Sequence, residues 1–313
     1  AFFMPLDMSF SAWFFYLFWK LEMVAGRAIG LQRLPNFPYI EPQAAGAYAA
    51  LCVLALWTTR RHLRALFRRD KAVDNRTPRV ALAGAAVGLV ALVWFSIALQ
   101  MTPWVAVLFT GGYFVLSLGI TRMRAELGSP VHDLHRAGPH LMIVEVFGTR
   151  ALSTADLTAL SFHQGYNRAY RGHPMPHQLE GFKLGAQSGA RPRAMIWGIL
   201  IASALAPVAA FWGMAHYSFQ HGIPNVGKVP ESFGRLAGWV AAQTEPSAAT
   251  SIAMGFGGGV TLLLAALRAR FVWFPLHPAG YAITSGWSIN LFWCSILVSW
   301  GIKLGVLRFG GLP

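Results

Sequence analysis

Two ionisable side chains stand where the chain is otherwise apolar. Asp7 lies in AFFMPLDMSFSAWFFYLFW, the only carboxylate inside a clearly apolar run. His277 lies between Pro275 and Pro278 in FVWFPLHPAGYAITSGWSIN. Inside a membrane such a group is costly and marks a polar pathway by default. A desolvated Asp is pushed toward neutrality, where His already titrates, so both residue types suit coupling to protons. Ser288 and Asn290 follow His277, and Gly257 and Gly258 belong to a GFGGG run that either brings two backbones together or unwinds a turn. Asp7, His277, Ser288, Asn290, Gly257 and Gly258 are therefore the candidate substrate or ion pathway. Each has a plainer reading. Asp7 also suits a membrane interface or the cap of a helix starting at Ser9. His277 also suits a hydrogen-bonded histidine at a kink. No set of residues reads as a catalytic centre.

A second cluster, GSPVHDLHRAGPH, holds His132, Asp133, His135 and His140. Imidazole and carboxylate are zinc ligands. However, the cluster lacks the helical HExxH spacing and has no cysteine, and its competing reading is a loop packed under a bundle. Cys52 and Cys294 both sit in apolar segments and read as packing residues. No cofactor is expected.

The elements that must hold these residues are set by composition. Of 313 residues, 55% are hydrophobic and 12% charged, against about 25% charged in soluble domains. The formal charge of +14 lies in loops between apolar spans, the positive-inside pattern, which argues against nucleic acid. Apolar segments fall at 1–19, 43–59, 80–100, 104–121, 194–217 and 249–267. Between 60 and 79, eight Lys/Arg against Asp70 and Asp74 place that loop in the cytoplasm. Met101-Thr102-Pro103 then turns outside. Residues 122–192 read as a cytoplasmic loop with interfacial helices: Ser153 is a helix cap with Asp156 in a capping box, 171–194 is irregular, and His163, His173 and His177 are solvated or interfacial.

The tract 271–303 cannot be one clean helix. Its roughly 33 residues would run about 50 Å, past a hydrocarbon core of about 30 Å. Pro275, Pro278 and Gly280 break it. Broken backbone survives in lipid only when protein or a wet cavity covers it. Either the tract crosses once, or 271–284 crosses as a short broken segment and 286–302 returns. The expected fold is an all-α polytopic transmembrane helical bundle of about seven or eight segments, some broken or re-entrant, forming a single domain over 1–313.

The runs MPLDMSFSAWFFYLFWKLE, LGSPVHDLHRAGP and FVWFPLHPAGYAITSGWSINLFW followed by IKLGVLRFGG resemble an uncharacterised family of bacterial polytopic membrane proteins. That family is distantly similar to oligopeptide (OPT-type) transporters. The resemblance implies the C-terminal portion of a longer protein in the bacterial inner membrane.

The expected function is a secondary transporter of a small solute, peptide-like in the terms of that resemblance, coupled to an ion gradient because no ATP-binding motif is present. A non-catalytic membrane subunit or assembly factor, and a membrane enzyme using the His-rich loop, are the alternatives. Expected partners are the lipid bilayer, the solute, and a second copy or the remainder of the longer chain.

Overall fold

The computed structural model describes residues 4–31, 34, 36–67, 76–127, 137–167, 173–222 and 229–310. Among them all regular structure is helical. The helices are α1 (Leu6–Ala28), α2 (Ile40–Phe67), α3 (Arg76–Ala98), α4 (Pro103–Leu127), α5 (Pro139–Phe147), α6 (Thr154–Asn167), α7 (Pro174–Gln187), α8 (Pro192–His221), α9 (Val229–Ala241), α10 (Ala248–Arg270), α11 (Pro278–Ala282) and α12 (Trp287–Phe309). Of these, α2, α3, α4, α8, α10 and α12 are long and apolar enough to cross a membrane. The chain is thus a multi-pass, all-α membrane protein. In α1 the apolar run is shortened by Lys20 and Glu22, though the helix continues through both.

The centre is the crossing of α2 and α10, the most extensive contact between two helices. Glycine permits it. A Cβ on Gly257 would lie 2.0 Å from the Gln43 carbonyl oxygen, and one on Gly46 would lie 1.9 Å from that of Met254. Of the two readings of the GFGGG run, the structure shows close approach, because α10 is continuous through it. Likewise α4 meets α2 where a Cβ on Gly119 would lie 2.5 Å from the Tyr48 carbonyl oxygen.

Contacts at the helix ends sort the bundle into two faces. The start of α1 meets the ends of α10 and α12: Asp7 pairs with Arg268, and Lys303 donates to the Met4 carbonyl at 2.6 Å. At the opposite face, the starts of α2, α4, α6 and α10 gather around the end of α5. Glu145 accepts from Thr250, Trp104 packs on Phe147, and Asp156 accepts from the Thr102 N–H. Arg60, Arg61, Arg64, Arg122, Arg124, Arg268, Arg270, Lys303 and Arg308 lie toward the first face. Glu41, Glu145, Asp156, Glu231 and Glu245 lie at the second, with Arg27, Arg150 and Arg235. The bundle therefore has a basic end and an acidic end.

The described part of 122–192, expected to be a loop with interfacial helices, is packed against the bundle. The segment touches both ends of α4. Asp156 binds Thr102 before the first turn of α4, while Glu180 of α7 binds Arg124 in its last turns at 2.9 Å. A helix of 25 residues separates these points by about 35 Å. α5, α6 and α7 therefore pack along α4 within the bundle. Leu157 and Leu160 are buried against that packing, whereas Phe162 on the same helix is exposed. Residues 174–187, expected to be irregular, form α7 because Pro174 occupies the first helical position, where a missing N–H costs nothing. His163 and His173, expected to be solvated or interfacial, are buried: His163 donates from Nδ1 to the Ala159 carbonyl at 2.7 Å, and His173 stacks on Tyr113 at 5.3 Å. The capping box on α6 is present in full. Ser153 Oγ accepts from the Asp156 N–H at 3.0 Å, and Asp156 accepts from the Ser153 N–H at 3.1 Å.

Candidate functional site

The proline-split tract returns to the end it left. Arg268 before it and Lys303 near its close both reach the start of α1, at Asp7 and Met4. Because α12 alone spans about 35 Å over its 23 residues, residues 271–286 must first traverse the bundle in the other direction. The short broken crossing, with 286–302 returning, is the arrangement adopted. Helices α1, α2, α10 and α12 cover it, and residues 278–284 are buried.

The broken backbone keeps its polar groups satisfied. Pro278 starts α11, and His277 caps it by accepting the Ala279 N–H on Nδ1 at 3.1 Å. The His277 N–H donates to Ser11 Oγ at 2.6 Å, and that hydroxyl donates to the Asp7 carbonyl at 2.7 Å. Ser11 thereby ties the kink to the first turn of α1. Gly280 is needed at this contact, since a Cβ there would lie 2.4 Å from Ser11 Cβ. Further along, Tyr281 donates its hydroxyl to Gln43 Oε1 of α2.

Asp7 and His277 therefore belong to one cluster, joined by Ser11 and Arg268. Asp7 Oδ2 lies 2.7 Å from Arg268 Nη2, with each side chain about one-third exposed. The charges of both act on the His277 ring. Asp7 does not cap a helix beginning at Ser9, because α1 already begins at Leu6. The other sequence candidates lie elsewhere. Gly257 and Gly258 sit at the α2–α10 crossing, about 16 Å along α10 from Arg268. Asn290 accepts from the Tyr16 hydroxyl at 2.7 Å, over two turns along α1 from Asp7. Ser288 is half-buried in the first turn of α12. His132, Asp133 and His135 lie outside the described residues. His140 is buried in the first turn of α5. Among the described residues no three of His, Cys, Asp or Glu gather as a metal ion requires.

A second polar site, at the acidic end, escaped the sequence reading. A cavity of about 320 Å³ is lined by Asn36, Glu41, Pro42, Leu141, Val144, Glu145, Arg235 and Trp239. Glu145 accepts from the Thr250 hydroxyl at 3.3 Å. The short helix α5 that carries it lies outside the six spanning helices. Burial, followed by the neighbouring Glu41 charge, raises its pKa above the ordinary carboxylate value, while the Thr250 hydrogen bond works the other way. Arg235 is held through Nη2 by Glu231 at 3.2 Å, and its Nη1 is buried with no hydrogen-bond partner. The signal was available: Glu145 interrupts LMIVEVF, as apolar as the run around Asp7. The polar stretches on either side of it make the segment read as a loop.

A family model described as a family of unknown function (DUF6785) matches residues 1–313. The chain belongs to that family. No curated protein and no solved structure matches it. The DUF6785 match spans both polar sites, and its description assigns neither an activity.

Proposed function

We propose that this chain is a secondary transporter that moves a small solute across a plasma membrane at the expense of an ion gradient. The observation that carries this reading is the discontinuous tract at 271–286, buried over 278–284, which joins Asp7, Arg268 and His277 at one end. Interrupted helices inside a bundle place capping groups and side chains at membrane depth, where solute and coupling ions are held. The two-ended construction supports the same reading. One polar cluster lies toward the basic end and a separate polar cavity toward the acidic end, as two sides of an alternating pathway require. By the positive-inside rule the basic end is cytoplasmic and the cavity faces the other side. The quoted runs resemble a family that is itself distantly similar to oligopeptide transporters, which supports the same reading.

The test is uptake into proteoliposomes with and without an imposed proton gradient. Asp7→Asn and His277→Ala are expected to leave the protein folded and to remove the dependence on the gradient. Gradient-driven uptake that is unchanged in both variants would refute the assignment of this cluster, and no uptake of any solute by wild-type protein would refute transport.

A further inference from the structure

We propose that the outer face of α2 at the basic end binds an anionic phospholipid, with the phosphate held by Arg60, Arg61 and Arg64 and an acyl chain laid along Val53, Leu56 and Trp57. These six residues recur at the three- and four-residue steps that put side chains on one stripe of a helix. The apolar half of the stripe is open: Trp57 is 63% exposed, with Val53 and Leu56 exposed beside it. Arg61 and Arg64 are exposed too. Arg60 is half-buried; its guanidinium carbon lies 4.1 Å from the centre of the Trp57 ring, and Nη1 donates to the Trp57 carbonyl. Among the described residues no carboxylate pairs with any of the three arginines.

The arginines stand at the depth where headgroups lie. α2 and α10 both run from the acidic end to the basic end, and they meet where Gly46 faces Met254. From that contact Arg61 is 15 residues along α2, while Arg268 and Arg270, which close the apolar run of α10, are 14 and 16 residues along it. At 1.5 Å per residue each lies about 21–24 Å from the crossing. The α2 stripe therefore turns from apolar to cationic where α10 leaves the hydrocarbon layer. Trp57, one turn earlier, takes the place of an interfacial aromatic. Three guanidinium groups on one face repel each other, and an anion among them relieves that repulsion. Their forks match phosphate oxygens. A phosphate fixed to acyl chains covers both halves of the stripe at once, whereas a soluble anion leaves the apolar half bare. Phosphatidylcholine brings the same phosphate with a quaternary ammonium that the arginines repel. The preferred headgroup therefore carries net negative charge, as phosphatidylglycerol does.

This site is independent of the transport reading, and its test involves no solute. The purified chain in a neutral detergent would be titrated with phosphatidylglycerol and with phosphatidylcholine of the same acyl chains. Native mass spectrometry counts the bound lipid, and melting temperature is followed in parallel. Wild type is expected to bind phosphatidylglycerol at least about tenfold more tightly, with a preference that shrinks as salt is raised. An arginine near the membrane surface strengthens attraction to anionic lipid by about fivefold, so Arg60→Gln, Arg61→Gln and Arg64→Gln should each weaken phosphatidylglycerol by about that factor. The triple variant should lose the preference altogether. Arg150→Gln, which removes an exposed charge at the acidic end, should keep it. If the triple variant fails to fold, the three single variants decide the matter. Equal affinity for the two lipids, no phosphatidylglycerol bound, single variants that bind it as wild type does, an equal loss in Arg150→Gln, or displacement of the lipid by millimolar inorganic phosphate would each overturn the proposal.

Discussion

Gly257→Ala tests the centre of the bundle. The new Cβ would sit 2.0 Å from the Gln43 carbonyl oxygen and 2.6 Å from its carbonyl carbon and Cα. Ordinary contact begins at 3.4 Å, so α10 must withdraw from α2 by about 1.4 Å. Every atom it strikes is backbone, so no rotamer change gives way. Overpacking a well-filled site costs about 1–3 kcal/mol when side chains can adjust. Here the whole crossing must open, and gaps of 0.5–1 Å already forfeit roughly a quarter to a half of each dispersion contact. The expected loss is therefore at or above roughly 3 kcal/mol. The assay is thermal melting in one detergent, with Gly255→Ala and Gly259→Ala beside it. Neither of these positions has anything within 4 Å of the added Cβ, and each gains up to roughly 1 kcal/mol of helix propensity. The controls should melt at or above wild type and Gly257→Ala well below. If Gly257→Ala melts with Gly259→Ala, the backbone contact between α2 and α10 is wrong.

Two further outcomes follow from buried carboxylates. Asp156 is 1% exposed, and burial alone would raise its pKa, but hydrogen bonds from Thr102 and Ser153 outweigh this and hold it below the ordinary value of 3.8. Its contribution is present above that value and lost as the pH falls through the lowered one. Asp156→Asn should cost about 2 kcal/mol near neutrality and progressively less in acid, as read by melting temperature against pH; a gap that does not change with pH would count against the network. Glu145 has the opposite sign. With its pKa raised, its contribution is full below the ordinary carboxylate range and fades as the pH rises through the raised value. Glu145→Gln should therefore gain on wild type as the pH rises, and parallel melting curves would contradict a buried carboxylate there.

Much of the fold was legible because lipid imposes simple rules. Long apolar runs gave the spanning helices, Pro275 and Pro278 gave the break at 271–286, and the Ser153–Asp156 spacing gave the start of α6. In each case the signal is local. What escaped was decided by tertiary contact. Residues 122–192 are polar enough to read as a loop, yet His163, His173 and Asp156 find partners on α3, on α4 and in the turn between them that no spacing announces. The same holds for the sites. Asp7 and His277 were visible as lone ionisable groups, but Ser11 and Arg268 gain meaning only from a fold that brings residues over 250 positions apart into contact. Glu145 and Arg235 stand 90 positions apart, and no sequence pattern joins them.

Helix α8 has a consequence of its own. None of its 30 residues is buried, and it joins the others chiefly through α7. Beyond the turns where it meets α7, with Met195 against Gly185, no face of it is buried among the described residues, so replacing one greasy residue by another along it should produce no three-to-four-residue rhythm of damage. Such a rod answers to the thickness of the fatty layer, and selection on it acts through total oiliness and length, leaving the order of its letters free to drift.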